Sequence, residues 1–191
     1  MRIQYKGTVI EPCAGVYEPA EDTFLILDNV LPGRELLEIG CGTGIISVYF
    51  AKTGCKVTAC DINGTAVECA RKNAKENSVL VDFSESDLFS NISGQFDTII
   101  FNPPYLPTSD DVEEGTQWNG GEDGFKVISP FLDEAKNHLS TNGEIYLVVS
   151  SLTDYQSLWS AYKGYVFEEV ASKAFFFETI FLFRGLLKAQ D

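Results

Sequence analysis

The stretch Phe96–Tyr105 constrains this chain most, because a short apolar strand runs directly into two prolines. Residues 96–101 form a β-branched and aromatic run typical of a buried strand. Pro103 and Pro104 each fix φ, lack an N–H and disfavour helix at the residue before them. We therefore predict that Asn102 is held at the carboxyl end of a central strand, where ligands bind in open α/β sheets. The alternative is a strand-ending turn that uses Asn and Pro only for its own geometry.

Strands and helices alternate along the chain. The sequence predicts strands over residues 34–39, 56–60, 79–83, 96–101, 144–149, 165–171 and 175–183, and helices over about 19–31, 45–52, 64–76, 124–139 and 153–163. This order predicts an α/β fold with a seven-stranded, mostly parallel sheet, an antiparallel last strand and helices on both faces. We expect a single domain over residues 1–191, with residues 1–16 as an amino-terminal arm.

Composition narrows the possible partners. The formal net charge of -14 argues against broad contact with a phosphate backbone, which normally depends on Lys and Arg, so we expect no strong direct binding of nucleic acid. A basic partner or substrate fits better than a nucleic acid, and acidity that serves only solubility is an alternative of at least equal weight.

No apolar run reaches the roughly 18 residues of a membrane span, and no signal-peptide pattern opens the chain, so we expect a cytoplasmic protein without membrane contact. The five cysteines form no C-x-x-C pair, and we expect them to be reduced thiols.

Glu38 and a glycine-rich turn follow the first long strand. The turn reads G-x-G-x-G over residues 40–44, which differs from the dinucleotide pattern G-x-G-x-x-G. Glycines there let a ligand approach the backbone closely. The carboxylate of Glu38 would repel a pyrophosphate and attract an ammonium, which indicates a cofactor that carries an amino acid.

Four further residues follow strand ends or lie in a glycine-rich loop. Asp61 ends the second long strand and could bind both ribose hydroxyls of a nucleoside, or cap the next helix. Asp87 and Leu88 follow the third, where an acid could accept from an adenine amino group and Leu88 could lie against the ring. Taken alone, Asp87 is more typical of a loop acid. Trp118 lies in a glycine-rich loop, as a pocket residue or as a packing anchor.

Together these features resemble the class I S-adenosylmethionine-dependent methyltransferases, which have a Rossmann-like doubly wound sheet. The Asn-Pro-Pro-Tyr motif at 102–105 resembles that of enzymes that methylate planar amino groups. The archaeal–eukaryotic HemK-like branch, which methylates the glutamine of the Gly-Gly-Gln loop in class I translation release factors, is similar over four segments. These segments are Tyr17–Phe24, Asp61–Asn63, Phe101–Tyr105 and Trp118–Gly121. Asn119, where relatives often have Ala, and Thr43, which replaces a common Ser, are tolerable departures.

The resemblance implies S-adenosyl-L-methionine as the cofactor and assigns residues to three roles. Cofactor binding is implied for Thr23, Glu38, Gly40, Gly42, Asp61, Asp87, Leu88 and Asn102. Catalysis is implied for Asn102, Pro103 and Tyr105, and substrate binding for Asn102, Pro103, Pro104, Tyr105 and Trp118. No metal is expected. The single histidine, His138, is interpreted as a favourable charge at a helix end rather than as a catalyst.

The resemblance also implies two protein partners: a class I release factor as the substrate, and a small zinc-binding activator subunit in a heterodimer. Bacterial relatives carry an amino-terminal helical domain that grips the release factor, and only 16 residues precede Tyr17 here. An exposed sheet edge is a template for strand addition, and we expect Val79–Phe83 to be the edge that the activator covers.

The residues at 102–105 suggest the chemistry. The side-chain oxygen of Asn102 and the carbonyl of Pro103 can each accept one N–H of an –NH2 group, and Tyr105 would pack on the flat acceptor. The same arrangement would suit N6 of adenine or N2 of guanine in a nucleic acid. Methylation of another protein side chain, such as lysine, and a non-catalytic binding module are further alternatives.

Overall fold

The computed structural model describes residues 2–104 and 125–188. The strands are β1 (Ile3–Tyr5), β2 (Thr8–Ile10), β3 (Glu35–Ile39), β4 (Lys56–Asp61), β5 (Asp82–Glu85), β6 (Phe96–Phe101), β7 (Leu139–Ser150), β8 (Tyr165–Ala174) and β9 (Thr179–Leu187). The helices are α1 (Glu21–Asn29), α2 (Ile45–Lys52), α3 (Gly64–Glu76), α4 (Ile128–His138) and α5 (Tyr155–Ala161). Over these ranges, no helix is long and apolar enough to cross a bilayer.

Seven strands form one sheet in the order β5-β4-β3-β6-β7-β9-β8. The strands from β5 to β7 are parallel, and β9 runs antiparallel to both of its neighbours. The prediction of a mostly parallel sheet with an antiparallel last strand is therefore confirmed. The chain winds outward in one direction from β3 and in the other from β6, so the carboxyl ends of these two neighbours form the switch point where ligands bind in such sheets.

Helices cover both faces of the sheet. Successive side chains on the central strands point to opposite faces, and both sets are apolar and belong to buried clusters. In β3, Leu36 packs on the side of α1, α2 and α3, whereas Leu37 packs on the side of α4 and α5. In β6, Ile100 and Ile99 divide in the same way. Strands that are apolar on both sides are the expected pattern for a buried parallel sheet.

Some element boundaries differ from the prediction. The edge strand β5 begins at Asp82 rather than Val79, because Ser78 adopts a φ of 58° after α3 and the Val79 N–H still donates to the Ala74 carbonyl (3.1 Å). The strand β7 begins at Leu139, five residues earlier than predicted, because Leu139 already pairs with Phe96 of β6. The bounds of α2, α3 and β6 agree with the prediction.

The amino-terminal arm forms the hairpin β1–β2 and is fixed to α3. The Asn77 side chain accepts from the Val9 N–H (3.1 Å), and the Asn73 side chain accepts from the Glu11 N–H (2.9 Å). Because residues four apart share a helix face, Cys69 continues this row along α3.

The expectation that all five cysteines are reduced is wrong, because Cys13 and Cys69 form a disulfide with a Cα–Cα distance of 6.1 Å. The arm, held on α3 by Asn73 and Asn77, carries Cys13 to Cys69. Cys41, Cys55 and Cys60 are free thiols.

Candidate active site

A cavity of about 490 Å³ lies at the switch point of the sheet. It is lined by the turns that follow β3, β4, β5 and β6 and by the segment that leads into α1. The cavity brings together every predicted site residue that the structure describes. These are Thr23, Glu38, Gly40, Gly42, Asp61, Asp87, Leu88, Asn102, Pro103 and Pro104. Tyr105 and Trp118 lie outside the described residues.

The glycine-rich turn after β3 forms one wall of the cavity. Gly40 and Gly42 have φ values of 74° and 50°, in the left-handed region that other residues rarely adopt. A Cβ added at Gly44 would lie 2.7 Å from the Cβ of Ala70, so this glycine permits close packing of the turn on α3. The sequence pattern of small residues therefore serves both the cavity wall and the helix contact.

Glu38 is a fully buried carboxyl group at the base of the cavity. The Ser47 hydroxyl of α2 donates a hydrogen bond to Glu38 Oε2. Burial raises the pKa of Glu38 to about 8, with a further contribution from the charge of Asp61, while the Ser47 hydrogen bond opposes the shift. Over the described ranges, no Lys or Arg forms an ion pair with Glu38. A bound cation would stabilise its carboxylate.

Asp61 is oriented by backbone donors from two segments. Its Oδ2 accepts from the Gly42 N–H (2.9 Å) and its Oδ1 from the Asn63 N–H (2.9 Å). The alternative of a helix cap belongs to Asn63, whose side chain accepts from the Thr65 N–H of α3 (2.9 Å). Burial raises the pKa of Asp61, and the backbone hydrogen bonds oppose this.

The turn after β5 places Asp87 and Leu88 in the lining of the cavity. Leu88 has a φ of 46°, and its carbonyl accepts from the buried Ser86 hydroxyl (2.9 Å). Asp87 is exposed, whereas Leu88 is half-buried and packs against the cluster of β3 and β6.

Asn102 follows β6 and has one buried, unused acceptor. Its Nδ2 donates to Asp22 Oδ2 (3.1 Å), whereas no donor among the described residues lies within hydrogen-bond distance of Asn102 Oδ1. A carboxylate accepts and does not donate, so Asp22 fixes which end of the Asn102 amide faces it. The Asn102 oxygen is therefore available as an acceptor beside Pro103 at the cavity wall.

Sequence reasoning missed Asp22, which is 2% exposed. In the sequence Asp22 is only one of two acids near the start of the predicted helix over about 19–31. A signal was nevertheless present, because Asp22 lies four residues before the buried Ile26 and so falls on the inward face of α1. His138, in contrast, does not line the cavity: it stacks on Phe89 with ring centroids 4.7 Å apart.

S-adenosylmethionine fits the residues that line the cavity. Its ammonium and sulfonium are cations, and the buried Glu38 and the half-buried Asp61 are acids that form no ion pair with a Lys or Arg over residues 2–104 and 125–188. A seven-stranded sheet of this order, with a glycine-rich turn and acids around its switch point, defines a Rossmann-like S-adenosylmethionine-dependent methyltransferase. The family model described as methyltransferase small domain matches residues 21–176, and the chain belongs to this family.

Curated relatives are similar over most of the chain. A protein of Methanocaldococcus jannaschii, named for a proposed protein N5-glutamine methyltransferase activity, is 45% identical over 80% of this chain and 81% of its own length. Mouse methyltransferase HEMK2 is 34% identical over 78% of both chains. Ribosomal RNA small subunit methyltransferase C of Haemophilus influenzae is 34% identical over 75% of this chain, which spans 42% of that relative's length. The resemblance to HemK-like methyltransferases is therefore confirmed.

Solved structures share the fold. The complex of Mtq2 with Trm112 from E. cuniculi, described as responsible for methylation of the termination factor eRF1, matches with a TM-score of 0.73 and 26% identity over 91% of this chain and 99% of that chain. The 16S rRNA N2 G1207 methyltransferase of T. thermophilus, in complex with AdoMet and guanosine, matches with a TM-score of 0.73 and 18% identity over 98% of this chain and 50% of that chain. The second likeness shows the fold alone.

Proposed function

We propose that this chain, as one catalytic domain over residues 1–191, methylates the side-chain amide nitrogen of the glutamine in the Gly-Gly-Gln motif of a class I translation release factor. The observation that carries the proposal is that Asn102, at the wall of the cavity, has a buried Oδ1 with no hydrogen-bond donor among residues 2–104 and 125–188. A buried acceptor without a donor is costly, which favours a ligand that supplies an N–H. The 45% identity to the M. jannaschii relative and the likeness to Mtq2 support glutamine as the acceptor.

The proposed acceptor needs help from the protein, because the lone pair of an amide nitrogen is delocalised. In this proposal Asn102 Oδ1 accepts one N–H of the glutamine side chain and the Pro103 carbonyl accepts the other. The two acceptors direct the nitrogen and stabilise the positive charge that develops on it. Packing of Tyr105 on the methyl acceptor and a role of Trp118 in substrate binding stay predictions.

The cofactor would be held by the residues of the cavity. When bound, S-adenosylmethionine supplies an electrophilic methyl group on a sulfonium. In our proposal Glu38 binds the ammonium and Asp61 binds the ribose hydroxyls. Asp87 and Leu88 bind the adenine, while Thr23, Gly40 and Gly42 complete the wall.

We further propose that a small zinc-binding activator pairs with the edge strand β5. Mtq2 was solved together with Trm112, which supports a partner for this chain. The strand β5 is at the edge of the sheet, and Leu80 just before it is 95% exposed. A cytoplasmic location is part of the same proposal, since translation termination takes place there.

A nucleobase is the second candidate acceptor. The similarity to ribosomal RNA small subunit methyltransferase C favours it, because N2 of guanine also offers an –NH2 group. The net charge of -14 opposes it, since phosphate contacts depend on cations.

The test is a methyl-transfer assay with labelled S-adenosylmethionine, in which purified release factor, RNA and DNA are offered separately, with and without the activator candidate. We expect label on the release factor alone, and peptide mapping should assign one methyl group to the Gly-Gly-Gln glutamine. A release factor with Gln→Ala in that motif and an enzyme with Asn102→Ala are the matched controls, and both should abolish labelling. Label on RNA, DNA or a lysine would overturn the proposal in favour of that acceptor.

A further inference from the structure

The carboxylate of Asp22 lies directly behind the amide of Asn102, although the two residues are 80 positions apart in the chain. Asp22 belongs to the first turn of α1, and Asn102 follows the last residue of β6. The contact joins Asp22 Oδ2 to Asn102 Nδ2 at 3.1 Å. It is therefore a direct link between α1 and the end of the strand that carries the proposed catalytic amide.

The orientation of the Asn102 amide matters for its chemistry. An asparagine side chain has nearly the same shape in its two orientations, but one presents an acceptor and the other presents donors. If the Asn102 amide turned over, its –NH2 group would face the –NH2 group that is to be methylated. Both groups would then offer only hydrogen-bond donors. The proposed reaction needs the orientation in which Oδ1 faces the cavity.

Asp22 favours that orientation through charge. A carboxylate accepts from the Nδ2 group and would repel the Oδ1 atom of Asn102. A hydrogen bond to a charged group corresponds to roughly a 10- to 100-fold preference for one arrangement over the other. In this arrangement Asn102 Oδ1 is buried and accepts no hydrogen bond from the described residues, at a residue that lines the cavity.

Three donors hold the Asp22 carboxylate in place. The Thr23 N–H donates to Oδ1 (2.6 Å), the Thr23 hydroxyl donates to Oδ1 (3.1 Å), and the Tyr17 hydroxyl lies 2.9 Å from Oδ2. Burial raises the pKa of Tyr17, with the charge of Asp22 adding to the effect, so the phenol keeps its proton and remains a donor. The carboxylate thus accepts from Tyr17 and Thr23, which are close to it in sequence, as well as from Asn102.

We propose that Asp22 is a positioning residue for methyl transfer, which holds Asn102 with its oxygen toward the acceptor amine and is itself held by Tyr17 and Thr23. The inference rests on the proposed function for the identity of the acceptor, but the orientation of Asn102 does not depend on which amine is methylated.

The first test is Asp22→Asn, which preserves the shape of the side chain. The new amide has one oxygen, so it cannot accept from both the Thr23 N–H and Asn102 Nδ2. We expect kcat to fall roughly 10- to 100-fold, while the dissociation constant for S-adenosylmethionine stays within about twofold. Wild-type kcat in the folded variant would overturn the proposal.

The matched control is Asp97→Asn, at the amino end of the same strand β6. Asp97 also accepts from a backbone donor, the Glu35 N–H (3.0 Å), and from the Ser140 hydroxyl (2.7 Å), but it does not line the cavity. This variant should lose stability and retain kcat. An equal loss of kcat in both variants would mean that Asp22 acts only through general stability.

A spectroscopic readout separates this inference from the choice of acceptor. The Asn102 side-chain ¹H–¹⁵N signals can be identified by their absence in Asn102→Ala. In the wild type one amide proton should be shifted downfield by the carboxylate, and in Asp22→Asn that shift should be lost. Unchanged signals would refute the role of Asp22, whether or not a release factor is the true substrate.

Tyr17→Phe provides a milder variant if Asp22→Asn does not fold. It removes one donor to the carboxylate and leaves the ring in place. We expect a smaller fall in kcat, about 2- to 10-fold, with the same downfield amide signal weakened. If both kcat and the signal matched the wild type, the supporting role of Tyr17 would be excluded.

Discussion

At the scale of single residues, the cavity brings together two acids, Glu38 and Asp61, that form no ion pair with a Lys or Arg in the described part of the chain. Glu38 and Asp61 have a raised pKa because burial disfavours their charged forms. The cost of burying these groups is recovered when a cationic ligand binds. Two predictions about the cofactor follow from this arrangement.

Replacing Asp61 with Ala should weaken binding of S-adenosylmethionine by roughly 1–3 kcal/mol, because a ligand hydroxyl would lose its charged acceptor. Isothermal titration calorimetry of the folded variant measures this directly. Asp82→Ala, at an exposed position in the neighbouring strand β5, is a suitable control and should bind normally. Equal affinities for Asp61→Ala and the wild type would contradict the ribose assignment.

Binding of S-adenosylmethionine at pH 6.5 should release close to one proton. With a pKa of about 8, Glu38 is mostly protonated in the free protein at that pH, and a bound ammonium favours the carboxylate. Calorimetry in buffers of different ionisation enthalpy reports the number of protons released. Glu38→Gln, which keeps the shape and cannot ionise, should abolish the release. A binding heat that is independent of buffer in the wild type would show that Glu38 does not change charge.

At the scale of elements, the edge strand β5 and the residues just before it form the exposed end of the sheet. Leu80 is 95% exposed, whereas Val81 is half-buried and packs against the cluster beneath α1, α2 and α3. The two neighbours therefore differ as sites for a mutation: a charge at Leu80 changes the surface, and a charge at Val81 disturbs the core.

Leu80→Lys should abolish co-purification with the proposed activator and leave the unfolding transition unchanged. The reason is that an interface covering this edge would bury the charged lysine without a partner, which is costly. Leu31→Lys, at a leucine that is 86% exposed after α1, is the matched control and should retain the partner. If both variants bound the activator as the wild type does, the interface would lie elsewhere.

At the scale of the whole molecule, the amino-terminal arm is joined to the sheet through α3. The disulfide Cys13–Cys69 closes a loop with a sequence separation of 56, and the side chains of Asn73 and Asn77 add hydrogen bonds to the same arm. The arm continues into Val16 and Tyr17, which line the cavity. The disulfide, which lies outside the central sheet, thus constrains one wall of the site.

The double variant Cys13→Ser, Cys69→Ser should lower the free energy of unfolding by about 2–4 kcal/mol, because the unfolded chain gains conformational freedom. Denaturant titration of oxidised wild type and variant gives the difference. Cys55→Ser, at a free and half-buried thiol, should change stability little. The same midpoint in the double variant and in the oxidised wild type would show that the cross-link adds nothing to the hydrogen bonds of the arm.

The sequence by itself determined the order of strands and helices, the bounds of several of them, and the edge of the sheet where the site lies. The bounds of α2, α3 and β6 follow from apolar periodicity and from local breakers, which act over a few residues. The approach of Glu38, Asp61 and Asn102 to one cavity follows from a general rule, since the carboxyl ends of parallel strands share one edge.

Only the tertiary structure decided which distant residues touch. The hydrogen bond from Asn102 to Asp22 and the disulfide from Cys13 to Cys69 join positions 80 and 56 residues apart. No local pattern specifies such pairs, because they depend on how α1 and the arm pack onto the sheet and on α3. For the same reason Asp22, which we propose orients the Asn102 amide, is visible in the sequence only as a residue near the start of a helix. The tertiary structure alone brings it to Asn102 at the end of β6.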